Sequence, residues 1–251
     1  MQMSRAKPES KSYPKRFYHE ASLGSSGEYF CVLLDGKAVR TPAQHKLHHP
    51  SHDLMQHIVA EWNAQEGHID PESMPLTRLL TISCDRMQQD RPAVLADMLR
   101  YVETDLLCYR ASATDDAMRQ LQQQQADSFD PVLTWVARTY GVAVRVTEGV
   151  MPVAQDGRLH AAIASALDTA SNAQVAALAM LTPLLGSLLL ALAVWQGACN
   201  IEEALRAARL DEGCNEARYG ADPEAQRAWE SACRDARACV LFLTANALKN
   251  S

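Results

Sequence analysis

Eight histidines are spread unevenly along the chain. Seven lie at or before His68, and His45, His48, His49 and His52 crowd into one short stretch. Such a group invites a zinc reading, but a structural zinc site needs four ligands held tetrahedrally by an ordered second shell, and no cysteine lies within this cluster. No bound metal is therefore expected. A second set, Arg78, Glu103 and Asp105, carries the groups that acid–base chemistry requires. Asp105 stands between apolar residues, where an unpaired carboxylate is costly, so it must find donors. A paired structural acid is favoured over a catalytic one. Ser25, Ser26 and Ser187 lie in no nucleophile-elbow context, and the phosphate-loop pattern G-x-x-x-x-G-K-[ST] is absent from the sequence. Neither an activated nucleophile nor a cofactor or nucleotide fingerprint emerges.

The bulk properties agree with a folded, non-membrane chain. The 251 residues are 47% hydrophobic and 22% charged, enough to build a sizeable core as one large domain or two small ones. A net charge of -6 disfavours binding to a phosphate backbone, so no nucleic-acid partner is expected. The seven cysteines are odd in number and contain no C-x-x-C pair, which points to a reducing compartment rather than a disulfide framework. Cys108 and Cys239 read as small buried hydrophobes.

Several elements must position these side chains. Residues 1–14 are polar, carry Arg5, Lys7 and Lys11, and read as a mobile arm. Residues 15–85 read as an α/β domain. A strand over Phe17–Ser22 is followed by a turn at Gly24–Gly27. A second strand over Tyr29–Leu34 leads into the hairpin turn Asp35-Gly36, and a third runs over Lys37–Thr41. Ser51 is placed to cap a helix whose apolar stripe includes Leu54, Ile58 and Trp62, with Gly67 ending it. Residues 86–251 read as a helical domain. Helices are expected over Leu76–Met87, Pro92–Thr104, Thr114–Asp127 and Pro131–Tyr140, the last capped by Asp130 and stopped by Gly141. Val142–Val146 alternates and reads as a lone strand returning to the N-terminal sheet. Ala173–Trp195 holds 23 residues without a charge, long enough to span a bilayer. Its Pro183, Gly186 and alanines, and the absence of nearby Lys or Arg, argue instead for a buried central helix bent near Pro183. The fold class expected is α+β: a small N-terminal β-sheet with a packed helix, followed by a larger orthogonal α-helical bundle.

The order of short blocks carries a further signal. Lys15-Arg16-Phe17-Tyr18 precedes Leu33-Leu34-Asp35-Gly36-Lys37 and Val39-Arg40-Thr41-Pro42-Ala43. Then come Glu61-Trp62, Met74-Pro75-Leu76-Thr77-Arg78-Leu79, Thr104-Asp105-Leu106-Leu107-Cys108-Tyr109-Arg110 and Gly149-Val150-Met151-Pro152-Val153. Together, from about Tyr13 to about Leu243, they resemble the assembly-chaperone family for the catalytic head of the F-type ATP synthase. The resemblance implies an ATP-independent chaperone, not an enzyme, that binds the unassembled alpha subunit. It implies no cofactor and no nucleotide. The location expected is a bacterial cytoplasm, or the mitochondrial matrix in a eukaryote.

Five residues are singled out for client contact: Trp62, Arg78, Asp211, Glu212 and Tyr219. Trp62 has two roles open to it, wedging the first helix onto the sheet or anchoring the client. Arg78 either pairs with a buried acid such as Asp105 or faces a client carboxylate. Asp211 and Glu212 match a family block of consecutive acids implicated in chaperone function, although Gly213 and Cys214 follow them here and Tyr219 stands where tryptophan is usual. A solvated helix end is the alternative reading of that block.

Overall fold

The structure is a computed structural model that describes residues 13–247. Residues 1–12 of the expected arm lie outside that range. Pro14, the last residue assigned to the arm, is already tied down, its carbonyl accepting from the Ile69 N–H at 2.8 Å.

The N-terminal part is a four-stranded antiparallel sheet with one helix across it. Strands β1 (Ala21–Ser26) and β2 (Tyr29–Leu34) pair from Ala21↔Leu34 to Ser26↔Tyr29. The strand expected at Phe17–Ser22 thus begins later, and the glycine pair does not make a four-residue turn. Gly24 stays inside β1 because a Cβ there would sit 2.8 Å from Leu33 Cγ. Glycine marks a close approach here, and the turn itself falls at Gly27. The Asp35-Gly36 turn forms as expected, with φ of 47° and 79°, and leads into β3 (Lys37–Ala38). Strand β4 (His48–His49) pairs with the other end of β2. Helix α1 (His52–Asn63), capped by Ser51, buries Leu54, Met55 and Ile58 against the sheet.

Helix α2 (Pro75–Thr104) is one 30-residue helix where the sequence suggested two, and it runs without a break across residues 85 and 86. Pro92 lies inside it. Its apolar face, Leu76, Leu79, Met87, Val94, Met98 and Val102, keeps helical phase on both sides of the proline and is buried. Packing against later helices outweighs the one backbone bond that proline removes. After a short 3₁₀ turn (Leu106–Cys108) comes β5 (Tyr109–Arg110). Helix α3 (Asp116–Tyr140) likewise passes through Pro131. Asp115 is its cap, and Asp130 sits mid-helix accepting from Arg110 rather than capping. Gly141 ends it in the left-handed region, as expected.

The lone strand expected at Val142–Val146 does not return to the N-terminal sheet. Instead β6 (Thr147–Glu148) pairs in parallel with β5. The Gln155 side chain accepts from Arg145 N–H and donates to Arg145 C=O, both at 2.9 Å, so a side chain satisfies the backbone that a sheet would have paired.

Helix α4 (Gly157–Asp168) leads to α5 (Asn172–Leu185) and α6 (Leu188–Trp195). These last two are the uncharged stretch. It is the buried centre expected, with Leu178, Leu181, Leu189, Leu190 and Leu192 at 0–1% exposure. It is two helices rather than one bent helix, interrupted at Gly186-Ser187, three residues beyond Pro183. No helix among the described residues is long and apolar enough to cross a membrane. Helices α7 (Ile201–Ala208), α8 (Leu210–Tyr219) and α9 (Pro223–Ala247) complete the chain, with α9 packed on α5 and α2. The architecture is α+β, a small sheet and its helix followed by a larger set of helices.

Candidate functional site

Asp105 explains the break in the central stretch. It is fully buried at the end of α2, and its carboxylate accepts from the Ser187 hydroxyl at 2.6 Å, Leu189 N–H at 3.0 Å and Leu107 N–H at 3.1 Å. Burial pushes its pKa up to about 6, against the pull of the Ser187, Leu189 and Leu107 hydrogen bonds. It therefore fastens the start of α6 to the end of α2. Leu106 N–H donates to Gly186 C=O at 3.1 Å beside it. Asp105 does not meet Arg78 or form an acid–base centre with Glu103. Glu103 instead accepts from Gln155 N–H at 3.3 Å and faces His160 at 3.2 Å. Among the described residues no three His, Cys, Asp or Glu side chains gather as metal ligands, and His45 is engaged with Asp85 at 2.8 Å.

Of the five residues expected to contact the client, four divide between two surfaces and Tyr219 lies apart from both. Trp62 and Arg78 line one groove of about 360 Å³ together with Val39, Thr41, Met74 and Ile82. Arg78 is paired with Asp235 of α9 at 2.6 Å, an acid far away in sequence, and not with Asp105. Trp62 is half-buried with its ring edge-on to Tyr18 at 5.7 Å, and the Tyr18 hydroxyl donates to the Trp62 carbonyl. The contact is with Tyr18, just ahead of the sheet, and the side chain still borders the groove. Glu61 beside it holds the start of α2, accepting from Leu76 N–H and Thr77 N–H at 2.8 Å each and from the Thr77 hydroxyl at 2.7 Å. Burial raises the Glu61 pKa, and those three donors oppose the rise.

The second surface is a larger cleft of about 740 Å³ between the β5–β6 pair, the α5–α6 break and the α8–α9 arm. Asp211 and Glu212 form one wall, in the first turn of α8. Asp211 is half-buried and accepts from Gln125 Nε2 at 2.7 Å, while Gln125 Oε1 accepts from Ala111 N–H at 2.7 Å. Burial raises the Asp211 pKa, and the Gln125 bond only partly offsets it. Glu212 is exposed, and among the described residues no ion pair holds it. Two arginines border the cleft, both already committed. Arg110 stacks on Phe129 and pairs with Asp130 at 2.8 Å. Arg209 lies 4.8 Å over the Trp229 ring and pairs with Glu216.

The lining also holds the bare apolar Val150, 88% exposed, and the next residue along the chain, Met151, is 73% exposed. Tyr219 borders neither cavity. It is 82% exposed at the end of α8, next to Arg218, which pairs with Asp115.

Gln125, Trp229, Val150 and Met151 were not singled out from the sequence for this surface. Val150 and Met151 had a signal, two apolar residues between Gly149 and Pro152 in a block already noted. Trp229 stands as one aromatic in a polar, charged run. Gln125 is one glutamine of several in a row, and only the fold distinguishes it.

A family model described as ATP12 chaperone protein matches residues 15–137. Among solved structures, Atp12 from Paracoccus denitrificans is 32% identical, with 92% of this chain and 98% of that one covered at a TM-score of 0.81. A point mutant of the same Paracoccus protein matches equally well, covering 93% and 99% at a TM-score of 0.81. A candidate chaperone from Agrobacterium tumefaciens is 37% identical, with 93% and 86% covered at a TM-score of 0.83. Similarity of this extent in sequence and fold together makes the chain a member of the ATP12 chaperone family.

Proposed function

We propose that this protein is an ATP-independent assembly chaperone that binds the unassembled alpha subunit of the F-type ATP synthase catalytic head and covers its subunit interface until the ring forms. Membership of the ATP12 chaperone family is the observation that carries this reading, and the open cleft, with bare Val150 in its lining and exposed Met151 next in the chain, supports it. An orphan ring subunit exposes apolar surface that its neighbour will later bury, which makes it prone to aggregate. A chaperone covering that surface lowers the concentration of the exposed form by mass action. Release needs only that the native neighbour bind more tightly, so no nucleotide is consumed.

The test is co-expression of the alpha subunit with and without this protein, followed by size-exclusion chromatography. The expected result is a soluble one-to-one complex, with alpha subunit aggregating when the protein is omitted. Recovery of the protein with intact catalytic head but never with free alpha subunit would refute the reading.

A further inference from the structure

The charge around the large cleft does not balance. Its two arginines, Arg110 and Arg209, face four carboxylates: Asp130 and Glu216, which they already pair with, and Asp211 and Glu212, which no cation among the described residues pairs with. The N-terminus of α8 supplies a partial positive charge equivalent to roughly half a proton, too little to compensate two acids. Asp211 is also partly withdrawn from water with one neutral amide as its hydrogen-bond donor, an arrangement that costs energy until a cation arrives. The same lining holds apolar groups, Val150, Leu106 and the Trp229 ring.

We infer that this cleft takes a basic side chain of the client, an arginine or lysine set among apolar residues, which pairs with Asp211 and Glu212 while its neighbours pack on Val150 and Trp229. The inference rests on the chaperone reading above and specifies its contact. A partly desolvated acid such as Asp211 gains most from a cation brought in with apolar cover, because the pair then forms where water screens it least. An acidic client segment would add to charges already in excess.

The probe is a blocked pentapeptide, Ala-Leu-Arg-Leu-Ala, with a second peptide carrying glutamate in place of arginine. Binding is followed through the indole N–H resonance of Trp229, assigned with Trp229→Phe. The arginine peptide should shift that resonance and the glutamate peptide should not. In the double variant Asp211→Asn, Glu212→Gln the affinity should fall about tenfold or more, the loss expected when a partly buried charge pair is broken. Glu212→Gln alone, on an exposed side chain with no ion pair, should fold normally and give part of that loss. Equal shifts from both peptides, or unchanged affinity in the variants, overturn the inference.

Alpha-subunit capture by the double variant separates the two claims. If the variant forms the complex as wild type does, the pairing is wrong and the chaperone reading stands. If wild type takes the arginine peptide in the cleft but never takes alpha subunit, the pairing stands and the chaperone reading fails.

Discussion

Replacing Ser187 with alanine should weaken the fold in a pH-dependent way that a simple cap loss cannot imitate. The Ser187 hydroxyl has two jobs. It donates to the buried Asp105 carboxylate at 2.6 Å and accepts from Leu190 N–H at 2.9 Å as the cap of α6. A hydrogen bond to a charged group contributes about 1.5–3 kcal/mol and a cap about 1 kcal/mol, so Ser187→Ala should cost about 3 kcal/mol at pH 7.5.

Asp105 sets the pH course. Its folded pKa of about 6 lies above the ordinary aspartate value of 3.8, so the folded state holds the proton more tightly. That contribution is fully present below 3.8 and is lost as pH rises through about 6; two units correspond to about 3 kcal/mol. Without Ser187 the ionised form loses its nearest donor and Asp105 holds its proton to still higher pH. At pH 4.5 Asp105 is largely protonated, and the missing bond is then a neutral one of about 1 kcal/mol. The cost of Ser187→Ala should therefore shrink by about 1 kcal/mol between pH 7.5 and pH 4.5. Urea unfolding at the two pH values measures it, with Ser171→Ala as the comparison. Ser171 caps α5 with no buried acid attached, and its loss should be about 1 kcal/mol at both. A Ser187→Ala cost that is below 1 kcal/mol at pH 7.5, or is the same at both pH values, refutes the reasoning.

Two further substitutions probe how the parts are joined. Glu61→Ala leaves three donors at the start of α2 without their acceptor. It should cost about 3 kcal/mol, seen as a fall of roughly 6–12 °C in Tm by calorimetry, whereas Glu61→Gln should recover part of it. Arg91 reaches from α2 to the end of α4, donating to Leu167 C=O at 3.1 Å, Ala170 C=O at 2.7 Å and Asn172 Oδ1 at 2.9 Å. Arg91→Met should lower stability by about 2 kcal/mol and speed amide exchange around residues 167–172. Lysine should not restore it, because a single ammonium lacks the planar fork that reaches separate acceptors.

The local chemistry was readable before any coordinates. Asp35-Gly36 makes its turn because glycine tolerates positive φ, Ser51 caps α1 because its hydroxyl reaches the Leu54 N–H, and Gly141 ends α3 for the same reason that Gly36 turns. The buried character of Ala173–Trp195 followed from its composition, and the order of blocks pointed to the family. These features depend on residues close together in the chain.

What the chain alone left open was decided by partners far away in sequence. Pro92 and Pro131 do not end their helices, because burial of a continuous apolar face outweighs one lost hydrogen bond. Gly24 serves a close approach that only Leu33 reveals. Val142–Val146 forms no strand, and at its Arg145 the Gln155 amide takes the N–H and C=O that pairing would have used. Arg78 could be assigned its acid only once α9 brought Asp235 beside it, 157 positions along the chain. The acids Asp211 and Glu212 were visible from the start, but their lack of a cation among the described residues was not. It follows from Arg110 and Arg209 being held elsewhere, and charge balance is a property of neighbours in space rather than in sequence.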